Sequence, residues 1–154
     1  EAFETCIANG GEAVAKPTTL TDENGTIVYS EVKFYADVVL RFVEGRASYK
    51  GGFMPGYQDR ERPDVSFGLF RIDHIVSNCP DLLELTDFAM KMMGLHEFGE
   101  FVAADVGTVD SGLNSMILAN NDLTILMPVN EPTFGTRRKS QIQSFLEHHQ
   151  GSGV

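Results

Sequence analysis

Hydrophobic and polar residues alternate along the segment TIVYSEVKFYADVVLRFVE, residues 26–44. One face of this segment carries the apolar residues Val32, Phe34, Ala36, Val38, Leu40 and Phe42. The other face carries mostly the charged residues Glu31, Lys33, Asp37 and Arg41. A period of two is typical of half-buried β-strands, so the segment predicts one long strand or two consecutive strands.

Residues 45–66, GRASYKGGFMPGYQDRERPDVS, are polar, rich in Gly and Pro, and without a periodic apolar pattern. This composition is typical of a connection between folded units. It predicts the end of an N-terminal domain at residues 1–44, a linker at 45–66 and a second domain at 67–154.

Strand and helix patterns alternate after the linker. LFRIDHIVS predicts a strand, and NCPDLLELTDFAMKMMG predicts a helix with Asn78 or Cys79 near its N-cap, Pro80 in its first turn and Gly94 at its end. The buried stripe of this helix is expected to consist of Leu82, Leu85, Ala89 and Met92.

Three further strands and a helix are predicted after that. HEFGEFVA predicts a strand, and NSMILA and LTILMPV predict a hairpin around Asn120, Asn121 and Asp122. A last helix is expected from about Ser140 to His149, with Ile142, Phe145 and Leu146 buried and Gly151 after its end. The order βαβββ from Leu69 onward, with mostly antiparallel strands, predicts an α+β fold.

Composition narrows the class of protein. The formal net charge of −10 opposes binding to nucleic acid or to an anionic membrane, so neither is an expected partner. The two cysteines form no CxxC pair, and no apolar run reaches the ~20 residues of a membrane span. The start of the chain lacks the pattern of a signal peptide. A reducing compartment, the cytoplasm or a plastid, is the expected location.

Four histidines are candidates for chemistry. His148 and His149 lie at the predicted end of the last helix, where a cationic ring suits the helix dipole, and His96 begins a strand. His74 lies within a predicted strand and shares a face with apolar residues, so we expect its side chain to be buried. A lone buried histidine is either a hydrogen-bonded core residue or a metal ligand, and the spacing leaves both open.

Polar residues next to apolar strands raise a second question. Buried hydroxyl and amide groups cost about 1–3 kcal/mol unless they are paired. A cross-strand hydrogen bond accounts for Ser115, turn chemistry accounts for Asn130, and Gln141 suits a solvated helix. These residues alone therefore indicate no specific activity.

The stretches LFRIDHIVSNCPDL, DSGLNSMILANNDLTILMPVNEP and GTRRKSQIQSFLEHHQGSG carry a resemblance that goes further. Together they resemble the 4-hydroxyphenylpyruvate dioxygenase family, of the plant and algal type. The upstream ANGGEAVAKP, VKFYADVVLRFV and FMPGYQ are similar to the same family, whereas GRASYKGG departs from it. We expect the chain to begin within a longer protein.

The resemblance implies a fold and an activity. The fold would consist of vicinal-oxygen-chelate modules, each βαβββ, as in glyoxalases, bleomycin-resistance proteins and dihydroxybiphenyl dioxygenases, with an incomplete barrel in this chain. The activity would be conversion of 4-hydroxyphenylpyruvate and O2 to homogentisate and CO2, in tyrosine catabolism and in the supply of plastoquinone and tocopherol precursors. The family's Fe(II) is held by two histidines and one carboxylate.

The resemblance also assigns residues. His74 matches the first metal ligand, while the second histidine would follow Val154, so the chain by itself is expected to be inactive. Val76, Ser115, Asn130 and Gln141 match substrate-side positions, with Gln141 also a catalytic candidate. The full-length protein is expected to be a homo-oligomer.

Two alternatives remain open at this stage. The chain is either the dioxygenase segment, a non-catalytic module of the same fold used for binding or dimerisation, or part of another dioxygenase or glyoxalase of that superfamily. The length of NEPTFGTRRKSQIQ favours the first interpretation.

Overall fold

The structure is a computed structural model that describes residues 1–61, 65, 67–102 and 111–154. Its contacts divide the chain into two compact units, residues 1–33 with 39–71 and residues 34–38 with 72–154. Residues 62–64 and 66 of the predicted linker, and the last residue of the strand predicted as HEFGEFVA, lie outside the described residues. The predicted domain boundaries at residues 44 and 67 stay predictions.

The first unit contains a helix and most of a three-stranded sheet, of which residues 34, 35 and 38 belong to the second unit. Helix α1 (Ala2–Ala8) precedes β1 (Ala13–Asp22), β2 (Gly25–Tyr35) and β3 (Val38–Glu44), which neighbour one another in the order β1-β2-β3. The alternating segment is therefore two consecutive strands, because Ala36, with φ of +45°, turns the chain between them. Neither α1 nor β1 was predicted from the sequence.

Residues after β3 contribute to the core of the first unit although they belong to no helix or strand. Tyr49 and Met54 are buried against Ile27 of β2. The Tyr49 hydroxyl donates a hydrogen bond of 2.6 Å to a carboxylate oxygen of Asp22 at the end of β1. These two core positions were not predicted, because the segment is polar and Gly-rich and only isolated side chains of it are buried.

The second unit has the α+β architecture that the sequence predicts. It contains β4 (Ser77–Asn78), α2 (Leu82–Met93), β5 (His96–Phe101), β6 (Leu113–Ala119), β7 (Leu126–Pro132) and α3 (Gln141–His149). The sheet order is β4-β7-β6-β5, in which β4 runs parallel to β7 and the other neighbours are antiparallel. Helix α2 packs on β6 and β7, and α3 contacts β4 and β7. The described strands form open sheets and not a closed barrel.

Helix α2 follows the predicted pattern closely. The predicted stripe is buried at all four positions: Leu82, Leu85, Ala89 and Met92. Gly94 ends the helix in the left-handed conformation, with φ of +69°. The N-cap differs from the prediction, since Asp81, rather than Asn78 or Cys79, caps the helix by accepting a hydrogen bond of 3.0 Å from the Glu84 amide.

Helix α3 agrees with its prediction in extent, but of its three expected buried residues Ile142 is buried and Phe145 and Leu146 are only half-buried. It begins after the N-cap Ser140, whose hydroxyl accepts from the Ile142 amide at 3.3 Å. Its last turn carries His148 and His149, as expected. None of the helices in the described part of the chain is long and apolar enough to span a membrane.

Two strand predictions need correction. The strand predicted for LFRIDHIVS is restricted to β4, because the residues before it are largely exposed and have one described backbone hydrogen bond to the sheet, from the Ile75 amide to the Leu126 carbonyl at 3.3 Å. The second strand of the hairpin begins at Leu126 instead of Leu123. The Asn120 side chain accepts from the Ile125 amide at 2.9 Å, and this bond extends the turn.

The Asp81 cap generates a stability prediction. Asp81→Ala removes the acceptor for the Glu84 amide and should lower the free energy of unfolding by about 1 kcal/mol. Urea denaturation followed by circular dichroism measures the change. Asp87→Ala, on the exposed middle of the same helix, is the matched control and should be neutral or slightly stabilising; equal losses for both variants would contradict a capping role.

Candidate active site

The carboxylate of Glu131 lies on the face of the second sheet that α2 covers. One of its oxygens accepts from the Leu82 amide, at the start of α2, at 2.8 Å, and the other accepts from the Asn114 side-chain amide at 2.8 Å. Asn114 and Glu131 are opposite each other on β6 and β7, so their shared face lies towards α2. Alternation places buried apolar residues on the same face: Met116, Leu118 and Val129.

The opposite face of the sheet carries a row of three polar residues. Ser115 on β6 is directly opposite Asn130 on β7, and Asn130 is opposite Asn78 on β4. We call Asn78, Asn130 and Ser115 the polar row. The Asn130 side-chain amide donates a hydrogen bond of 3.2 Å to the Asn78 side-chain oxygen. The sequence-predicted residues Ser115 and Asn130 are thus brought together on one face.

Apolar and ionisable residues continue this face on either side of the polar row. Ile117 and Pro128 are the next opposed pair, and both are half-buried. The Ile75 to Leu126 hydrogen bond extends the register of β4 against β7 towards the N-terminus. Counting back by twos from Asn78 therefore assigns Val76 and His74 to the same face.

The expectation that His74 is buried is wrong. Its side chain is 49% exposed, because the residues that precede β4 are not covered by a neighbouring strand among the described residues. Val76, two residues nearer the paired strand, is half-buried. Burial on a strand depends on what packs beside it, and this cannot be read from alternation alone.

The surroundings of His74 nevertheless suit a metal ligand. Its Nδ1 lies 2.8 Å from a carboxylate oxygen of Asp73, which leaves Nε2 to coordinate. A carboxylate on the far ring nitrogen is the usual outer partner of a metal-bound histidine, since it fixes the tautomer and the ring orientation. Within the described ranges, no three His, Cys, Asp or Glu side chains form a group that could hold a metal ion.

Gln141 occupies a different position from the polar row. It is the first residue of α3 and its side chain is exposed. The hydrogen bonds of the described residues do not connect it to Asn130 or to Ser115.

A cavity of the second unit lies beside α2. Its volume is about 370 Å³, and it is lined by Phe34, Tyr35, Ala36, Cys79, Pro80, Asp81, Glu84, Leu85, Phe88 and Ser152. Burial, with a smaller contribution from the charge of Glu131, raises the pKa of the Cys79 thiol to about 12. Such a thiol is protonated at neutral pH and is a poor nucleophile.

Asn78 belongs to the polar row but was not predicted from the sequence as a site residue. It was predicted only as a possible helix cap, although His74, Val76 and Asn78 are spaced two residues apart along the chain. That spacing was available as a signal. What was lacking was the parallel pairing of β4 with β7, which makes Asn78 the neighbour of Asn130.

Comparison with curated proteins identifies relatives over the whole chain. This chain is 46% identical to 4-hydroxyphenylpyruvate dioxygenase of Daucus carota over 158 aligned residues. The alignment covers 99% of this chain and 35% of that protein. The enzyme of the same name from Hordeum vulgare is 46% identical over 100% of this chain and 35% of its own length. The Arabidopsis thaliana enzyme is 44% identical over 99% and 35%. The chain spans about 35% of the length of these relatives, and no protein-family model matches it.

Comparison with solved structures supports the fold. A triple mutant of 4-hydroxymandelate synthase from Streptomyces coelicolor superposes with a TM-score of 0.71 over 99% of this chain and 43% of that chain. The identity is 16%, so this likeness concerns the fold alone. It agrees with the predicted vicinal-oxygen-chelate architecture.

The buried thiols generate a prediction about pH. Burial raises the pKa of both Cys6 and Cys79 in the folded chain, so folding favours the neutral thiols. Their contribution to stability is present below the ordinary thiol pKa of 9.0 and is lost as pH rises towards about 12. Native chain should not react with a thiol reagent at pH 8, and urea-unfolded chain should react at both positions. Between pH 8 and pH 10 the urea midpoint should fall less in Cys79→Ala than in the unmodified chain, and identical slopes would contradict the assignment.

Proposed function

We propose that this chain, whose entire length is homologous to one segment of the 4-hydroxyphenylpyruvate dioxygenases, is part of an iron-dependent enzyme of that activity. The reaction would convert 4-hydroxyphenylpyruvate and O2 to homogentisate and CO2. The CO2 would be the carboxylate lost from the substrate, and both atoms of O2 would enter homogentisate. The observation that carries the proposal is the 43–46% identity to four plant enzymes of that name over 99–100% of this chain. Because the chain spans about 35% of those relatives, the activity is proposed for the protein of which this segment is a part.

His74 would supply one ligand to the Fe(II). The Asp73 carboxylate lies 2.8 Å from its Nδ1, so Nε2 would be the nitrogen that binds the metal. When bound, the iron would supply the activation of O2, which no amino-acid side chain performs. Two further ligands, a histidine and a carboxylate, would complete a facial triad and leave open positions for substrate and O2.

The polar row would bind the polar groups of the substrate. Ser115 offers a hydroxyl and Asn130 offers an amide on one face of a sheet that otherwise presents Ile117, Pro128 and Val76. Apolar surface around a few hydrogen-bonding groups suits an aromatic keto acid, because the ring is packed while the polar groups fix its orientation. Val76 would form a wall of this pocket next to the iron.

Gln141 would complete the substrate site from the start of α3. Its exposed amide can both donate and accept, so it can hold the substrate at a fixed orientation relative to the iron. Residues 1–44, 45–66 and 67–154 would then be the end of an N-terminal domain, a linker and the opening module of the catalytic domain. The complete enzyme would be a homo-oligomer in the cytoplasm or a plastid.

The two alternatives are not favoured. A non-catalytic module, or another dioxygenase or a glyoxalase of the superfamily, would share the fold, and the likeness at 16% identity is compatible with any of them. The sequence relatives carry one name and one activity at far higher identity.

The metal role of His74 can be tested in a chimera. The matched segment of the Daucus carota enzyme is replaced by residues 1–154 of this chain, and the protein is assayed for O2 uptake, homogentisate and bound iron. His74→Ala should lower both iron affinity and turnover by about a hundredfold or more, because a lost ligand costs at least as much as a lost outer partner. His96→Ala, another exposed histidine of the second unit, is the control and should retain both. An inactive but folded unmodified chimera would refute the proposed function.

The substrate-side roles generate a separate prediction in the same chimera. Asn130→Ala or Gln141→Ala should each lower kcat/KM about five- to 150-fold, which corresponds to a loss of about 1–3 kcal/mol of transition-state stabilisation, because one hydrogen bond to the substrate is lost. Both variants should retain iron. Gln143→Ala is the control, since Gln143 donates to Glu147 within α3 at 3.0 Å. Unchanged kinetics in both test variants would return these residues to a structural role.

A further inference from the structure

The cavity beside α2 has no role in the function proposed above. Its volume of about 370 Å³ is at the lower end of the range of small-molecule sites, about 300–1,000 Å³. All the residues that line it belong to the second unit. The lining contains three aromatic side chains and two carboxylates, with no Lys, Arg or His among the described residues. We propose that this cavity binds a small organic cation, a protonated amine joined by a short chain to one aromatic ring.

Aromatic side chains form the apolar part of the cavity. Phe34 is buried, whereas Tyr35 and Phe88 are half-buried. The ring centroids of Phe34 and Tyr35 lie 4.7 Å apart, with an angle of 58° between the ring planes. Ring faces attract a cation through their quadrupole, and ring edges and faces pack against another aromatic ring. The aromatic lining therefore suits both halves of an aromatic amine.

Glu84 supplies the negative charge that would anchor the ammonium group. It is exposed, and among the described residues its carboxylate has no hydrogen-bond or ion-pair partner. Asp81 differs, because one of its carboxylate oxygens already accepts from the Glu84 amide at 3.0 Å. An ammonium group carries three donors and no acceptor, so it can satisfy the Glu84 carboxylate directly.

The charges of three carboxylates act on the interior of the cavity, at the Cys79 thiol. Cys79 lines the cavity and is 2% exposed. Burial is the main cause of its raised pKa, and the charges of Glu131, Asp81 and Glu84 raise this pKa further. Negative charge that disfavours a thiolate in the cavity also disfavours an anionic ligand and favours a cationic one.

Hydrogen bonds hold two walls of the cavity in place. The Tyr35 hydroxyl donates to the Ser77 hydroxyl at 2.7 Å, and the Cys79 amide donates to the Asn130 carbonyl at 2.9 Å. Walls that are already ordered need little further ordering when a ligand binds. Because side chains alternate along the strand, Ser77 and Cys79 lie on the side opposite Asn78. The cavity is therefore separate from the polar row, and the proposal does not rest on the proposed function.

The charge preference is tested by NMR titration of residues 1–154 with three probes that share one phenyl ring. Phenethylamine is a cation at pH 7, 2-phenylethanol is neutral and phenylacetate is an anion. Phenethylamine should bind with a Kd of about 1 mM or below and should shift the backbone amide signals of Glu84, Leu85 and Phe88. The alcohol should bind about fivefold more weakly, and phenylacetate should leave these signals unchanged. Equal binding of the amine and the alcohol, or no shift at the three residues, would overturn the proposal.

Two charge-removing variants locate the anchor. Glu84→Gln keeps the shape of the side chain and should weaken phenethylamine binding about threefold, while the affinity for 2-phenylethanol stays the same. Asp87→Asn removes the same charge from an exposed position of α2 outside the cavity lining, so it is the matched control and should change neither affinity. Equal weakening in both variants would indicate attraction by the net charge of the chain and would contradict a site at Glu84.

The chimera provides the same test in a full-length protein. Saturation-transfer NMR of the three probes should give the same order of affinities, and Glu84→Gln should again weaken only the amine. Phenethylamine should not compete with 4-hydroxyphenylpyruvate, since the cavity is separate from the polar row. Competition between them, or an order without preference for the amine, would overturn the proposal. Because binding is measured without turnover, an inactive chimera that still prefers the amine would refute the proposed function and support this site.

Discussion

The two hydrogen bonds accepted by Glu131 are the constraint on which the arrangement of the second unit depends. They join β7 to the first amide of α2 and to Asn114 of β6, on the face that the helix covers. On this face Met116, Leu118 and Val129 are buried, and the residues between them lie on the other face. Of the polar residues on that face, Asn78 and Asn130 are half-buried and hydrogen-bonded to each other, whereas Ser115 is 7% exposed.

The polar row is possible only because of that division. Ser115 and Asn130 lie opposite each other on strands whose alternate positions are the buried Met116 and Val129. Shifting either strand by one residue would exchange the two sets and bury an amide under α2. The apolar core thus specifies the register, and the register specifies which polar side chains meet.

Patterns that depend on nearby residues were readable from the sequence, and patterns that depend on distant ones were not. The stripe of α2, its end at Gly94 and the extent of α3 follow from spacings within one helix, and all were predicted. Strand β1 was missed because its sequence, AVAKPTTLTD, has no apolar alternation and is largely exposed. The burial of His74 was wrongly predicted because alternation names a face but does not supply the element that covers it. Among the site residues, the sequence brought Ser115 and Asn130 into view, whereas Asn78 required the pairing of β4 with β7.

That pairing joins residues 52 positions apart, since Asn78 and Asn130 bond across two parallel strands. The β6-β7 turn, by contrast, closes between Ala119 and Leu126. By the logarithmic dependence of loop-closure entropy on length, bringing β4 to β7 costs about 2 kcal/mol more chain entropy than closing the hairpin. The elements α2, β5 and β6 lie between the two strands along the chain. The arrangement of polar groups on the open face is therefore a property of the whole folding unit, and it cannot persist in a partly unfolded chain that keeps only the hairpin.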